Sequence, residues 1–112
     1  MNDAVVRRVG SIVELHPEYR DEYLALHRAV WPEVLDALRA AHVRNYSIYL
    51  HDTLLFSYLE YYGTEYEADM GRLAQDEATQ RWWILTMPMQ HSLRRSERDD
   101  WWLPLPEVFH LD

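Results

Sequence analysis

The sequence predicts an α+β fold in which a four-stranded antiparallel sheet is covered by helices on one face. Stretches of alternating apolar, β-branched and aromatic residues predict the strands, and amphipathic stretches predict the helices. Prolines and N-cap residues separate these elements. Because 112 residues match the length of one ordinary domain, we expect residues 1–112 to form a single domain.

The first third of the chain predicts a strand followed by a broken helix. Residues 5–15 are rich in β-branched side chains and predict the first strand. Pro17 stands near a helix start, where its missing N–H is tolerated, and the helix is expected to reach residue 29. Pro32 then enforces a kink or a restart, so a second helical piece is expected over residues 32–42.

The middle of the chain predicts a hairpin. Residues 45–50, NYSIYL, alternate in polarity and include two tyrosines, which is typical of a strand. A short turn over residues 51–53 leads to the partner strand over residues 54–62.

A second broken helix follows the hairpin. Thr64 and Glu67 have the spacing of a capping box, which predicts a helix over residues 65–74. Asp76 predicts the N-cap of another helix, EATQRWWILTM.

The last part of the chain predicts an ordered loop over residues 88–106 and a closing strand over residues 107–111. The complete order is β-α-β-β-α-β, which is the ferredoxin-like sandwich. Helices cover only one face of such a sheet, and the chain is rich in aromatic residues. We therefore expect two sheets to pack face to face in a homodimer, as a dimeric α/β barrel.

Composition excludes several classes of function. Nineteen Asp and Glu against eleven Lys and Arg give a formal net charge of −8, which disfavours binding to nucleic acid. The chain has no cysteine, so it has no disulfide and no thiolate nucleophile. It contains neither a run of about 18 apolar residues nor the pattern of a signal peptide. We therefore expect no contact with a membrane and a cytoplasmic location.

The sequence predicts neither a metal nor a cofactor. Its six histidines do not occur at HxH or HxxxH spacing, and its three glycines do not form a phosphate-binding loop. No GxSxG motif indicates a serine nucleophile.

One helix carries the best candidate for proton transfer. Tyr23, His27 and Trp31 are spaced four residues apart and lie on one flank of the first helix. An imidazole is the side chain best matched to moving protons near neutral pH. From the spacing alone, His27 is either such a group or a buried histidine bonded to a backbone carbonyl.

Aromatic residues elsewhere are candidates for ligand binding. Trp82 and Trp83 are helical neighbours that point about 100° apart, so one is expected to pack while the other lines a pocket. An indole face can stack on the C–H face of a sugar. Tyr46, at the start of the second strand, either contacts a ligand or forms a cross-strand aromatic pair. Trp101 and Trp102 are expected in lid or dimer packing.

Taken together, these motifs resemble the L-rhamnose mutarotase family. The resemblance rests on EYLALHRAVWPE, NYSIYL, LLF, QRWW and EVFHL, in that order and at similar spacing, and it covers residues 8–112. The combination of E-Y-x-x-x-H-x-x-x-W-P-E with a later W-W is its most specific part.

The resemblance implies a homodimeric ferredoxin-like protein that interconverts sugar anomers without a cofactor. It implies that His27 is the proton donor. It also implies that Tyr23, Tyr46, Trp82 and Trp83 hold a monosaccharide.

The chain departs from the family in one loop, so the identity of the sugar stays open. Family members commonly carry a loop of the type N-P-D-N-S-P, whereas this chain reads MQHSLRRSERDDWWLP. Gly10 also replaces an aromatic residue that is usual in the first strand. L-Rhamnose or a related 6-deoxyhexose is the expected substrate. The alternatives are a cofactor-free monooxygenase of the dimeric α/β-barrel type and a non-catalytic sugar-binding dimer.

Overall fold

The computed structural model describes residues 7–112, in which an antiparallel sheet carries helices on one face. No helix within this range is long and apolar enough to cross a membrane. The strands are β1 (Arg7–Leu15), β2 (Val43–His51), β3 (Leu54–Tyr61), β4 (Gln90–His91) and β5 (Leu103–Leu105). The helices are α1 (Arg20–His27), α2 (Pro32–Ala40), α3 (Tyr66–Gln75) and α4 (Glu77–Thr86), and 3-10 turns occupy Pro17–Tyr19 and Met87–Met89.

The strand order confirms the predicted fold class. β1 lies in the centre of the sheet, between β3 on one side and β4 on the other, and β2 forms the edge beyond β3. All of these pairings are antiparallel. The order β2-β3-β1-β4 is that of a ferredoxin-like sandwich. The first two residues of the predicted strand 5–15 lie outside the described residues, and the remainder is confirmed.

Two predictions for the C-terminal part of the chain were wrong. Residues 88–106 are not one loop, because β4 and β5 both pair with β1, at Leu15–Gln90 and at Ile12–Leu103. The chain leaves the sheet between these pairings over residues 92–102, which we call the edge loop. The predicted closing strand over residues 107–111 is absent, since Pro106 has no backbone N–H with which to extend the pairing of β5.

Prolines and one carboxylate determine where the helices begin. Trp31 is the N-cap of α2 and Pro32 is its first residue, so the predicted break between two helical pieces is confirmed. Asp76 caps α4 as predicted, because its Oδ2 accepts a hydrogen bond from the Thr79 backbone N–H at 2.9 Å.

The predicted capping box at Thr64 and Glu67 was wrong. The N-cap of α3 is Glu65, and its side chain makes no capping hydrogen bond. Instead, the Glu65 backbone N–H donates to the Tyr61 hydroxyl at 3.0 Å. A tyrosine from the preceding strand therefore satisfies the backbone at this helix start.

The buried carboxylate of Asp69 links α3 to the sheet through hydrogen bonds. Asp69 is only 2% exposed and accepts hydrogen bonds from the Tyr61 hydroxyl, the Arg72 guanidinium and the His42 imidazole. The His42 Nδ1 lies 3.0 Å from Asp69 Oδ2. Because a buried carboxylate is costly unless it is paired, these three donors account for its burial.

The core lies between the helices and the inner face of the sheet. Val13, Leu15, Leu55, Tyr23 and Met89 form its main cluster, and each is buried. On a strand, alternate residues point to opposite faces, so these positions leave a second, outer face without helices.

Candidate active site

The side chain of His27 is held at the end of α1 by a backbone carbonyl. Its Nδ1 lies 2.9 Å from the carbonyl oxygen of Tyr23, one helical turn earlier. A carbonyl oxygen can only accept, so Nδ1 carries a proton and donates it. In the neutral ring, Nε2 therefore holds the lone pair that can take up a proton.

Two aromatic rings fix the orientation of the imidazole. The Tyr23 ring stacks on it with centroids 4.2 Å apart and planes inclined by 24°. The Trp82 ring meets the imidazole edge-on, with ring centroids 5.2 Å apart, and the centroids of Trp31 and Trp82 are 5.1 Å apart. The i, i+4 spacing of Tyr23 and His27 produces their stacking contact. The contact between His27 and Trp82 joins α1 to α4.

Burial keeps His27 neutral near pH 7. Desolvation lowers the pKa of the imidazole below its ordinary value, because burial penalises the charged ring. The hydrogen bond to the Tyr23 carbonyl opposes this effect and raises the pKa, but desolvation is the larger of the two. The predominant form of His27 at neutral pH is therefore a base.

Two phenols near this imidazole stay protonated. Desolvation raises the pKa of Tyr23 well above its ordinary value, and the neighbouring Tyr46 raises it further, against a hydrogen bond from Gln90 that lowers it. Desolvation also raises the pKa of Tyr46, although 40% of the residue surface is exposed. Both hydroxyls are therefore hydrogen-bond donors rather than bases.

The structure brings together four of the five predicted site residues. Tyr23, His27 and Trp82 are in contact, and Tyr46 is close enough to influence the ionisation of Tyr23. Trp83 is elsewhere: it is 37% exposed and lies in a shallow apolar groove on the outer side of α4. The predicted divergence of the two neighbouring indoles is confirmed, since Trp82 is only 6% exposed.

Sequence reasoning did not find two residues that belong to this site. The Gln90 Nε2 donates to the Tyr23 hydroxyl oxygen at 3.1 Å, and the Trp101 Nε1 donates to the Gln90 Oε1 at 2.8 Å. Both contacts cross long stretches of chain. A glutamine that follows a helix carries no local signal for such a role, and Trp101 was considered only as a lid or dimer contact.

Comparison with known proteins places these residues in a defined family. Residues 8–111 match the family model for L-rhamnose mutarotase. An L-rhamnose mutarotase of Listeria monocytogenes serotype 4b is 37% identical over 108 residues, covering 95% of this chain and 99% of the relative. One from Bacillus subtilis is 35% identical over 109 residues, covering 96% and 100%. The crystal structure of an L-rhamnose mutarotase from Formosa agariphila has a TM-score of 0.74 at 23% identity and covers 95% and 99%, so it supports the fold.

Proposed function

The chain belongs to the L-rhamnose mutarotase family, and we propose that it interconverts the α and β anomers of L-rhamnose with His27 as its acid–base group. One observation carries the assignment of His27. Its imidazole is kept neutral by burial and is fixed between Tyr23 and Trp82, with Nε2 as the nitrogen that can take a proton.

The proposed reaction moves one proton between two oxygens on the same carbon. His27 Nε2 takes the proton of the anomeric hydroxyl while the bond from C1 to the ring oxygen breaks, and its electron pair goes to the ring oxygen. The imidazolium then returns the proton to that oxygen, which leaves an open-chain aldehyde and a neutral imidazole. Rotation of the aldehyde and the reverse steps give the other anomer, so in each direction His27 acts first as a base and then as an acid.

We assign contact with the sugar to the residues around His27. The Tyr23 hydroxyl donates to the ring oxygen as charge develops there, and Tyr46 donates to a second sugar oxygen. Trp82 bounds the site on the side of α4. The high pKa values of both phenols support these roles, since they keep the donated protons in place.

Proton NMR saturation transfer between the α and β anomeric signals of L-rhamnose tests the function. We expect transfer to accelerate when the protein is present, and to be unchanged by a chelator because the reaction uses only side chains. Binding without faster exchange would select a sugar-binding protein instead. Oxygen consumption with an aromatic substrate would select the monooxygenase alternative.

Two variants in the same measurement test which indole serves the site. Trp82→Phe is expected to slow exchange about tenfold, because the His27 imidazole loses part of the edge contact that holds its orientation. A tenfold slower rate corresponds to a loss of about 1.4 kcal/mol in transition-state stabilisation. Trp83→Phe is the matched control on the neighbouring position, and its rate is expected to stay within about twofold of the parent rate. Equal losses in the two variants would contradict the assignment of Trp82.

We also propose that the protein is a homodimer in the cytoplasm, formed through the outer face of the sheet. Tyr49 on that face is 65% exposed and Phe56 is 40% exposed, and the C-terminal Val108 and Phe109 are 92% and 79% exposed. Exposed apolar surface of this kind marks an interaction site. Sedimentation should give twice the 13.5 kDa mass of the chain, and Phe56→Arg should shift it to the monomer. A monomeric parent protein would refute the dimer.

A further inference from the structure

A chain of hydrogen bonds links the edge loop to the hydroxyl of Tyr23. We propose that Gln90 and Trp101 are positioning residues that fix the direction of the Tyr23 O–H, so that its proton points toward the sugar. This inference rests on the proposed function, because it concerns how a residue assigned to the sugar site is oriented.

The direction of the chain follows from the donor at its far end. An indole N–H can only donate, so the Gln90 atom 2.8 Å from Trp101 Nε1 must be the amide oxygen. The amide nitrogen then faces Tyr23 and donates to the phenol oxygen at 3.1 Å. The Tyr23 oxygen is therefore an acceptor on this side, and its own proton is directed elsewhere.

Burial of Gln90 and Tyr23 stabilises this direction of the hydrogen bonds. Gln90 is only 6% exposed and Tyr23 only 2% exposed, so bulk water is not present to replace a lost partner. Reversing the amide would place its two N–H donors against the indole N–H and leave its oxygen against the phenol. A buried donor facing another donor is costly, and the observed orientation avoids it.

The edge loop holds the indole that begins the chain. Ser92, at the start of this loop, donates from its hydroxyl to the Trp101 carbonyl at 2.5 Å. The Arg94 guanidinium lies 5.1 Å from the Trp101 ring centroid, and Trp101 itself packs against the core cluster. The loop that departs from the family pattern thus determines the orientation of a hydroxyl in the sugar site.

Gln90→Glu tests the proposal by reversing polarity with little change in shape. The introduced carboxylate accepts from Trp101 and also from the Tyr23 hydroxyl, which turns the phenolic proton away from the sugar. We expect exchange at pH 8 to fall about tenfold or more relative to the parent protein. As the pH falls, the carboxylate becomes protonated and can donate again, so the ratio of variant to parent rates should rise.

The pH dependence of this rate ratio distinguishes a positioning role from a packing role. A loss of packing would lower the variant rate by the same factor at every pH. Trp101→Phe should also slow exchange, since the indole donor is lost, and Trp102→Phe, its neighbour in the same loop, is the matched control. Thermal melting of each variant confirms folding. If the parent protein exchanges anomers and the Gln90→Glu variant does so at the same rate, the proposal for Gln90 and Trp101 is refuted while the proposed function stands. A parent protein that neither binds nor exchanges the sugar would overturn the proposed function as well.

Discussion

His27→Asn is expected to lower the rate of anomer exchange by about 100- to 10,000-fold, the usual contribution of a positioned acid–base group. Asparagine retains a side-chain N–H that can donate toward the Tyr23 carbonyl, as Nδ1 of His27 does. It lacks any nitrogen that takes a proton near neutral pH, so the acid–base group is removed while this hydrogen bond is kept. The measurement is NMR magnetisation transfer between anomers, with the spontaneous rate subtracted.

The matched control for this variant is His51→Asn. The side chain of His51 is 80% exposed and lies at the end of β2, so its replacement should leave the exchange rate unchanged. A folded His27→Asn protein with the activity of the parent would remove His27 from the mechanism.

The pH dependence of the parent rate follows from the same imidazole. Neutral His27 is the form that opens the ring, and desolvation lowers its pKa below the ordinary value of 6.5. The catalysed rate should therefore stay level at neutral pH and fall as the pH drops through a midpoint below 6.5. A midpoint above that value, or one that persists in His27→Asn, would contradict the assignment.

Asp69→Ala is expected to lower the free energy of unfolding by about 3 kcal/mol, near the lower end for breaking a buried ion pair. The lower end applies because Arg72 and His42 are at least half exposed and can turn to water. The Tyr61 hydroxyl is buried and loses its acceptor, and a cavity opens beside α3. Urea denaturation followed by circular dichroism measures the change.

Asp36→Ala provides the control for this second variant. Asp36 pairs with Arg39 at the same i, i+3 spacing as Asp69 with Arg72, but Asp36 and Arg39 are both exposed. Exposed pairs contribute little, so a loss of less than about 0.5 kcal/mol is expected. Similar losses in the two variants would show that burial of Asp69 is not what stabilises this part of the fold.

Local patterns predicted most of the fold because the signals are carried by neighbouring residues. Pro32 and Asp76 each determine a helix start through their own backbone or side chain. The capping box failed because its place is taken by Tyr61, a residue of the preceding strand. β5 was missed because a three-residue edge strand containing Pro104 carries almost no strand signal.

The candidate site was predictable only in part, for a related reason. Tyr23 and His27 share one helix, so their contact follows from spacing alone. The orientation of Trp82 relative to Trp83 depends on which face of α4 meets α1, which the sequence leaves open. Gln90 and Trp101 reach the site through the fourth strand and its loop, and no short-range pattern marks them.

The two ends of the edge loop pair with the same strand, β1, so the loop can change length while the strand order stays the same. Lengthening a flexible loop costs only about 0.6 kcal/mol per doubling, and the pairings of β1 with β4 and β5 hold its two ends in register. For protein engineering, residues 95–100 of this loop are the replaceable part, whereas Ser92, Arg94 and Trp101 are kept because they hold the indole that is bonded to Gln90.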